Sequence, residues 1–151
     1  MVSQIGGMRQ YFDHLLDAGK TYRIMLLSDQ NGAFDFNSRA FTNIASIEPW
    51  EVVDVAAGYT SGVGGTVNAG ARDIRGGTTY WSFDIANITF TNVILSAGSC
   101  RLVGFAIINE TDNVVKETVP FSQQVDLDAV QQRTITVPIN DISGLFGIIW
   151  P

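Results

Sequence analysis

Reactive side chains are scarce in this chain of 151 residues: it holds one cysteine and one histidine, and only 16% of its residues are charged, against roughly 25% in an average soluble domain. A single cysteine, Cys100, excludes an internal disulfide, and its place inside an apolar run reads as a buried thiol. The histidine, His14, is far from Cys100 in sequence, which excludes the common zinc spacings, and the chain contains no GxSxG, HExxH or CxxC. Nine basic residues are scattered singly against fifteen acidic ones, giving a formal charge of −6. Phosphate neutralisation needs clustered Lys and Arg, so nucleic acid is not expected as a partner. No apolar run approaches the roughly 18 residues of a membrane span, and MVSQIGGMRQ lacks the basic start and apolar segment of a secretory signal. These absences lead to the expectation of a protein made in the cytoplasm, with no membrane partner.

What is present is apolar and β-forming. Hydrophobic residues make up 46% of the chain, and a single domain of this length can bury roughly 70% of the surface its unfolded chain exposes. From Thr78 to Asn109 run two stretches rich in β-branched and aromatic residues with almost no ionisable side chain, a pattern suited to a scaffold rather than a reaction centre. Within it Thr79 to Ile85, Ile88 to Leu95 and Cys100 to Asn109 read as strands, the last buried on both faces. Thr21 to Ser28 reads as the first strand, turning at Asp29-Gln30-Asn31-Gly32. Glu48 to Val55 reads as another, with Trp50 and Val52 on one face, after a short helical turn capped by Ser38 and ended by Pro49. Glu110 to Asn113 makes a hairpin turn into Val114 to Val119. Arg133 to Ile139 is the last clear strand, with Ile135, Val137 and Ile139 inward and Pro138 placing it at a sheet edge or ending it.

Helical spacing occurs at one place, the N-terminal arm 1–19, where Ile5, Met8, Phe12, Leu15 and Leu16 fall on one face between Ser3 and Gly19, with His14 on the opposite side. Residues 56–77 hold seven glycines and read as one irregular loop ordered by contacts; GVGG there has neither the GxGxxG spacing nor the lysine of a phosphate cradle. The tail 141–151 is apolar without strand patterning, so it either returns to its own core or docks on a neighbour. The expected fold is a single mostly β domain over 1–151, an antiparallel β-sandwich or small barrel with one N-terminal helix.

Candidate sites are few. Asp126 with Asp128, and Asp29 with Asp35 and Asn37, offer oxygen ligands of the kind calcium takes, without the EF-hand pattern; solvated loop carboxylates are the plainer reading. Trp50, Tyr59, Tyr80 and Trp81 are the aromatic residues a sugar-binding module would stack on. No nucleophile, base and orienting group can be assembled, so no enzyme and no cofactor is expected. Ile5, Met8, Phe12, Tyr59, Phe146, Ile148 and Trp150 are the candidate interface residues.

The order of these segments resembles a family of small virion structural proteins of tailed bacteriophages. The resemblance runs from about Ile5 to Ile139: an amphipathic helix, a strand like Tyr22 to Leu27, a phenylalanine-rich short helix like Ser38 to Phe41, and a GYT-x-GG element, here Gly58-Tyr59-Thr60-Ser61-Gly62-Val63-Gly64-Gly65 with extra glycine. A segment like Phe83 to Asn92 follows, and a buried strand like Leu102 to Asp112. These motifs are structural, and none is catalytic. The resemblance implies a virion component that decorates or cements the capsid by binding the major capsid protein, with the neck or tail as the other position. Self-association, with a trimer favoured, and a carbohydrate-binding virion module are the further expectations.

Overall fold

The computed structural model describes residues 20–67, 74–76, 80–83, 88–137 and 148–149. The expected N-terminal helix, with Ile5, Met8, Phe12 and His14, lies outside the described residues, as do Phe146 and Trp150. Among the described residues the chain is mostly β, with strands β1 (Tyr22–Ser28), β2 (Val55–Ala57), β3 (Gly65–Val67), β4 (Ile74–Gly76), β5 (Tyr80–Phe83), β6 (Ile88–Leu95), β7 (Ser99–Asn109), β8 (Val114–Asp128), β9 (Arg133–Val137) and β10 (Ile148–Ile149). They pair antiparallel in three sheets, ordered β3-β1-β7-β8, β2-β6-β9 and β10-β5-β4. The first two form a sandwich-like stack rather than a closed barrel.

Alternation along β1 builds both faces of the central sheet. Tyr22, Ile24 and Leu26 enter a core shared with Phe90, Val93 and Leu95 of β6 and Ile135 and Val137 of β9, while Met25 and Leu27 point to the opposite face. Strand β7 does the same and is buried on both faces from Leu102 to Asn109, as its continuous apolar run predicts. Its phase flips once. Leu27 pairs with Gly104 and Ser28 with Leu102, so Val103 is an extra residue, and beyond this bulge the odd-numbered Phe105 and Ile107 take over the sandwich face from Leu102. A Cβ on Gly104 would sit 2.2 Å from the Val119 carbonyl oxygen, which leaves that position to glycine.

The second face is covered by irregular chain. Phe34, Phe36, Phe41, Ile44 and Trp50 pack over Met25, Leu27, Val103, Ala106 and Ile108. The Phe34 and Phe41 rings stack at 4.7 Å, and Trp50 meets Phe41 edge-on at 5.3 Å. Here the structure corrects two expectations. Helix α1 spans Ile44–Ile47 and is capped by Asn43, whose side chain accepts the Ser46 N–H while Ser46 Oγ accepts the Asn43 N–H. Ser38 has no such reciprocal partner, and its hydroxyl accepts only the Ala40 N–H in a turn. The strand expected over Glu48 to Val55 is instead a 3-10 turn, Glu48–Trp50, with Pro49 in its first positions, followed by an isolated pairing of Glu51 with Leu27. Proline supplies no N–H and fixes φ near the helical value, which favours the turn over a strand. Trp50 and Val52 consequently part, Trp50 to the aromatic face and Val52 to the sandwich core.

Two of the crossings between the stacked sheets, at 96–98 and 129–132, lie at the end where β7 begins. In the second corner the Asp128 carboxylate accepts the N–H groups of Val130 and Gln131, each at 2.7 Å.

Candidate functional site

The glycine-rich region is not one irregular loop: it contributes β2, β3 and β4, and the GYTSGVGG element joins β2 to β3 along the edge of β1. This edge is closed in two ways. β3 pairs with Tyr22 to Ile24, and farther along the Val52 N–H reaches the Leu26 carbonyl at 3.0 Å. The Leu26 N–H would be left without an acceptor, and the Tyr59 hydroxyl takes it at 3.1 Å, standing in for a strand carbonyl. Tyr59 therefore lies in the core, 6% exposed, with its ring against Phe90 at 5.1 Å. That placement corrects its assignment as an interface residue and as a sugar-stacking platform.

Beneath the element lies a buried carboxylate. Glu51, 3% exposed, presents Oε1 to the Tyr59 hydroxyl at 2.6 Å, the Gly62 N–H at 3.0 Å and Arg23 Nη1 at 3.3 Å. Arg23 is equally buried, and its Nε lies 3.0 Å from Glu110 Oε1 without the alignment of a hydrogen bond, so that contact is coulombic. Removing two charges from water costs several kcal/mol each, which only coulombic pairing and further hydrogen bonds can offset. Glu51 has three donors, and one of them, Gly62, belongs to the glycine element. Burial, and then the neighbouring Glu51 carboxylate, push the Tyr59 hydroxyl far above its ordinary pKa, so it stays protonated and donating.

Glycine is required where this element meets backbone. Gly58, at φ +85°, would bring a Cβ within 2.5 Å of the Thr91 carbonyl, and Gly64, at φ +57°, within 2.1 Å of the Ile24 carbonyl. A phosphate cradle would aim free N–H groups at a ligand. Here the Gly62 N–H is already taken by the chain's own carboxylate.

The remaining candidates are placed as follows. Asp29 does not meet Asp35: it accepts the Arg101 N–H at 2.8 Å and Arg101 Nε at 3.0 Å, and those bonds, the backbone one first, hold its carboxyl below the ordinary range. Asp35 accepts the Asn37 N–H in its own turn. Asp126 and Asp128 line a groove with Asp29, Cys100 and Arg101, but the Gln131 and Val130 N–H groups occupy Asp128 and lower its pKa. No group of three metal-ligating side chains occurs among the described residues. Cys100 is buried, and burial, then Asp29, push its thiol up to about 11, the inert state expected of a core thiol. Trp50 is half-buried among Phe34 and Phe41. Tyr80 and Trp81 lie in β5, where they pair with Ile149 and Ile148, so this part of the apolar tail returns to its own chain.

Large hydrophobic side chains are exposed at three places among the described residues: Val63 (62%) in the glycine element, Val53 (44%) and Val130 (85%). Val53 and Val130 share one end of the central sheet. Gln30 bonds both polar groups of the Val53 backbone there, and Asp128 holds the turn that carries Val130. Sequence reading placed neither Glu51 nor Arg23 in the site. Their signal was a charge within an apolar run, in YRIMLLS and EPWEVV, where a lone ionisable residue on a buried strand must find a partner.

Comparison of the chain with protein-family models, with curated proteins and with solved structures gives no match.

Proposed function

We propose that this protein is a structural component of a tailed-bacteriophage virion, a decoration or cement protein that binds the major capsid lattice and self-associates, with a neck or tail position as the alternative. The reading comes from the motif order in the sequence, and one structural observation supports it. Two of the three exposed large apolar side chains are carried on turns held by several hydrogen bonds: Val63 on the element clamped by Glu51, and Val130 on the turn clamped by Asp128. Apolar tips on ordered turns lose little freedom on docking, so more of their burial is available to affinity. On a repeating lattice, weak contacts of many copies add through effective concentration. Some charged side chains of the described region pair within the fold, Arg101 with Asp29 and Lys20 with Asp112.

The test adds the purified full chain to particles that lack it and images where density appears. Density on the shell supports decoration, density at the neck or tail supports the alternative, and no binding to any particle surface defeats the proposal. Size-exclusion chromatography with light scattering tests self-association: a trimer is expected, and a monomer at high concentration removes that part.

A further inference from the structure

The turn after β1 contains the one Asn-Gly pair in the sequence, Asn31-Gly32. Both residues are exposed, and apart from its own and neighbouring residues no atom lies within 4 Å of where a Gly32 Cβ would sit, at φ +101°. The Asn31 side chain has no hydrogen-bond or ionic partner among the described residues. Among the described residues most other asparagines are protected. Asn43 and Asn113 accept the Ser46 and Ile44 N–H groups, and each precedes a β-branched residue that shields the next amide. Asn109 is buried and bonded twice to Asp112. Asn92 precedes Val93 within β6. Among the described residues Asn37, exposed and followed by Ser38, is the nearest competitor.

We propose that Asn31-Gly32 is a self-modifying site at which the chain deamidates through a succinimide, with water as the only co-reactant. The Gly32 backbone nitrogen, once deprotonated, attacks Cγ of Asn31. The N–Cγ bond forms, the Cγ–Nδ2 bond breaks, and Nδ2 leaves with the amide proton as ammonia. One water then adds across either imide carbonyl, giving aspartate or a β-linked isoaspartate. The bond from the Gly32 N–H to the Asp29 carbonyl, 3.1 Å, must open first, so the rate reports the opening of this turn. The product carries one more negative charge beside Asp29. The isoaspartate form adds a main-chain methylene next to Gln30, whose side chain grips Val53 through bonds of 2.9 and 3.0 Å. Modification therefore loosens the end of the sheet that presents Val53.

The experiment incubates the folded full chain at mildly alkaline pH and follows each asparagine by peptide mass mapping, with isoaspartyl methylation as a second readout. The Asn31 peptide is expected to convert several-fold faster than the Asn37 peptide, Gly32→Ala to slow it, and amide exchange at Val53 to rise with conversion. The proposal is overturned if Asn37 or another asparagine converts first, if Gly32→Ala converts at the wild-type rate, or if only the unfolded chain reacts.

Discussion

The two faces of the central sheet are covered by different means. One is met by a second sheet, with strand side chains from β1, β6, β7 and β9 interleaved. The other is met by the irregular 34–50 segment, whose cover is aromatic and mostly half-buried, with Ile47 its one fully buried member. Strands bring a fixed period and many backbone bonds, so a few aliphatic residues per strand suffice. A segment with little regular structure brings neither, and large rings with specific stacking must supply the area. The sandwich face should therefore carry most of the stability and the aromatic face should open first.

The sharpest test of that difference is Phe105→Ala on the sandwich face. Phe105 is 1% exposed, and its loss should cost about 3–5 kcal/mol in denaturant unfolding. Glu51→Gln, at the edge both coverings share, should cost about 1–3 kcal/mol, since one donor set loses its charged acceptor. Faster exchange of the Gly62 amide should accompany it. An unchanged midpoint would mean that Glu51 does not order the glycine element. Phe41→Ala, on the aromatic face, should cost less than Phe105→Ala, about 1–3 kcal/mol, and a cost equal to or above that of Phe105 would overturn the ranking. Asn43→Ala removes the cap of α1 and should cost about 1 kcal/mol, confined in hydrogen exchange to 43–50.

The last test is alkaline. The Cys100 thiol is raised from 9.0 to about 11 in the folded chain. The fold thus favours the protonated form, and this share of stability is complete below pH 9.0 and lost as pH climbs toward 11. Thiolate absorbance should rise at higher pH in the folded than in the unfolded chain, and Cys100→Ala should lose less stability over that window.

Legibility in sequence divides along the same line. Strand β6 spans Ile88–Leu95, the range its β-branched and aromatic run predicts, and β1 and β7 differ from expectation by one residue at their starts. Strand β8 runs on to Asp128, well past Val119, because a break in register between Gly104 and Leu102 absorbs Phe121 to Gln124, and no local pattern announces such an insertion. On the aromatic face, Ser38 and Asn43 are both credible caps. Only Ser46 and Asn113, the latter reaching from another hairpin, decide for Asn43. Tyr59 was misread for a related reason: an aromatic residue among glycines looks exposed until the unpaired Leu26 N–H that needs its hydroxyl is known.

What the sequence by itself determined is the mostly β character, the antiparallel strands with their inward and outward residues, and the low charge. Each follows from side-chain period and composition, which act over a few neighbouring residues. Only the tertiary structure decided that Glu51 and Arg23 are buried together, that glycine at 58 and 64 is compelled by the Thr91 and Ile24 carbonyls, and that Val53 and Val130 share one end. Those outcomes depend on which distant backbone group is left without a partner, a quantity that exists only once the strands have paired.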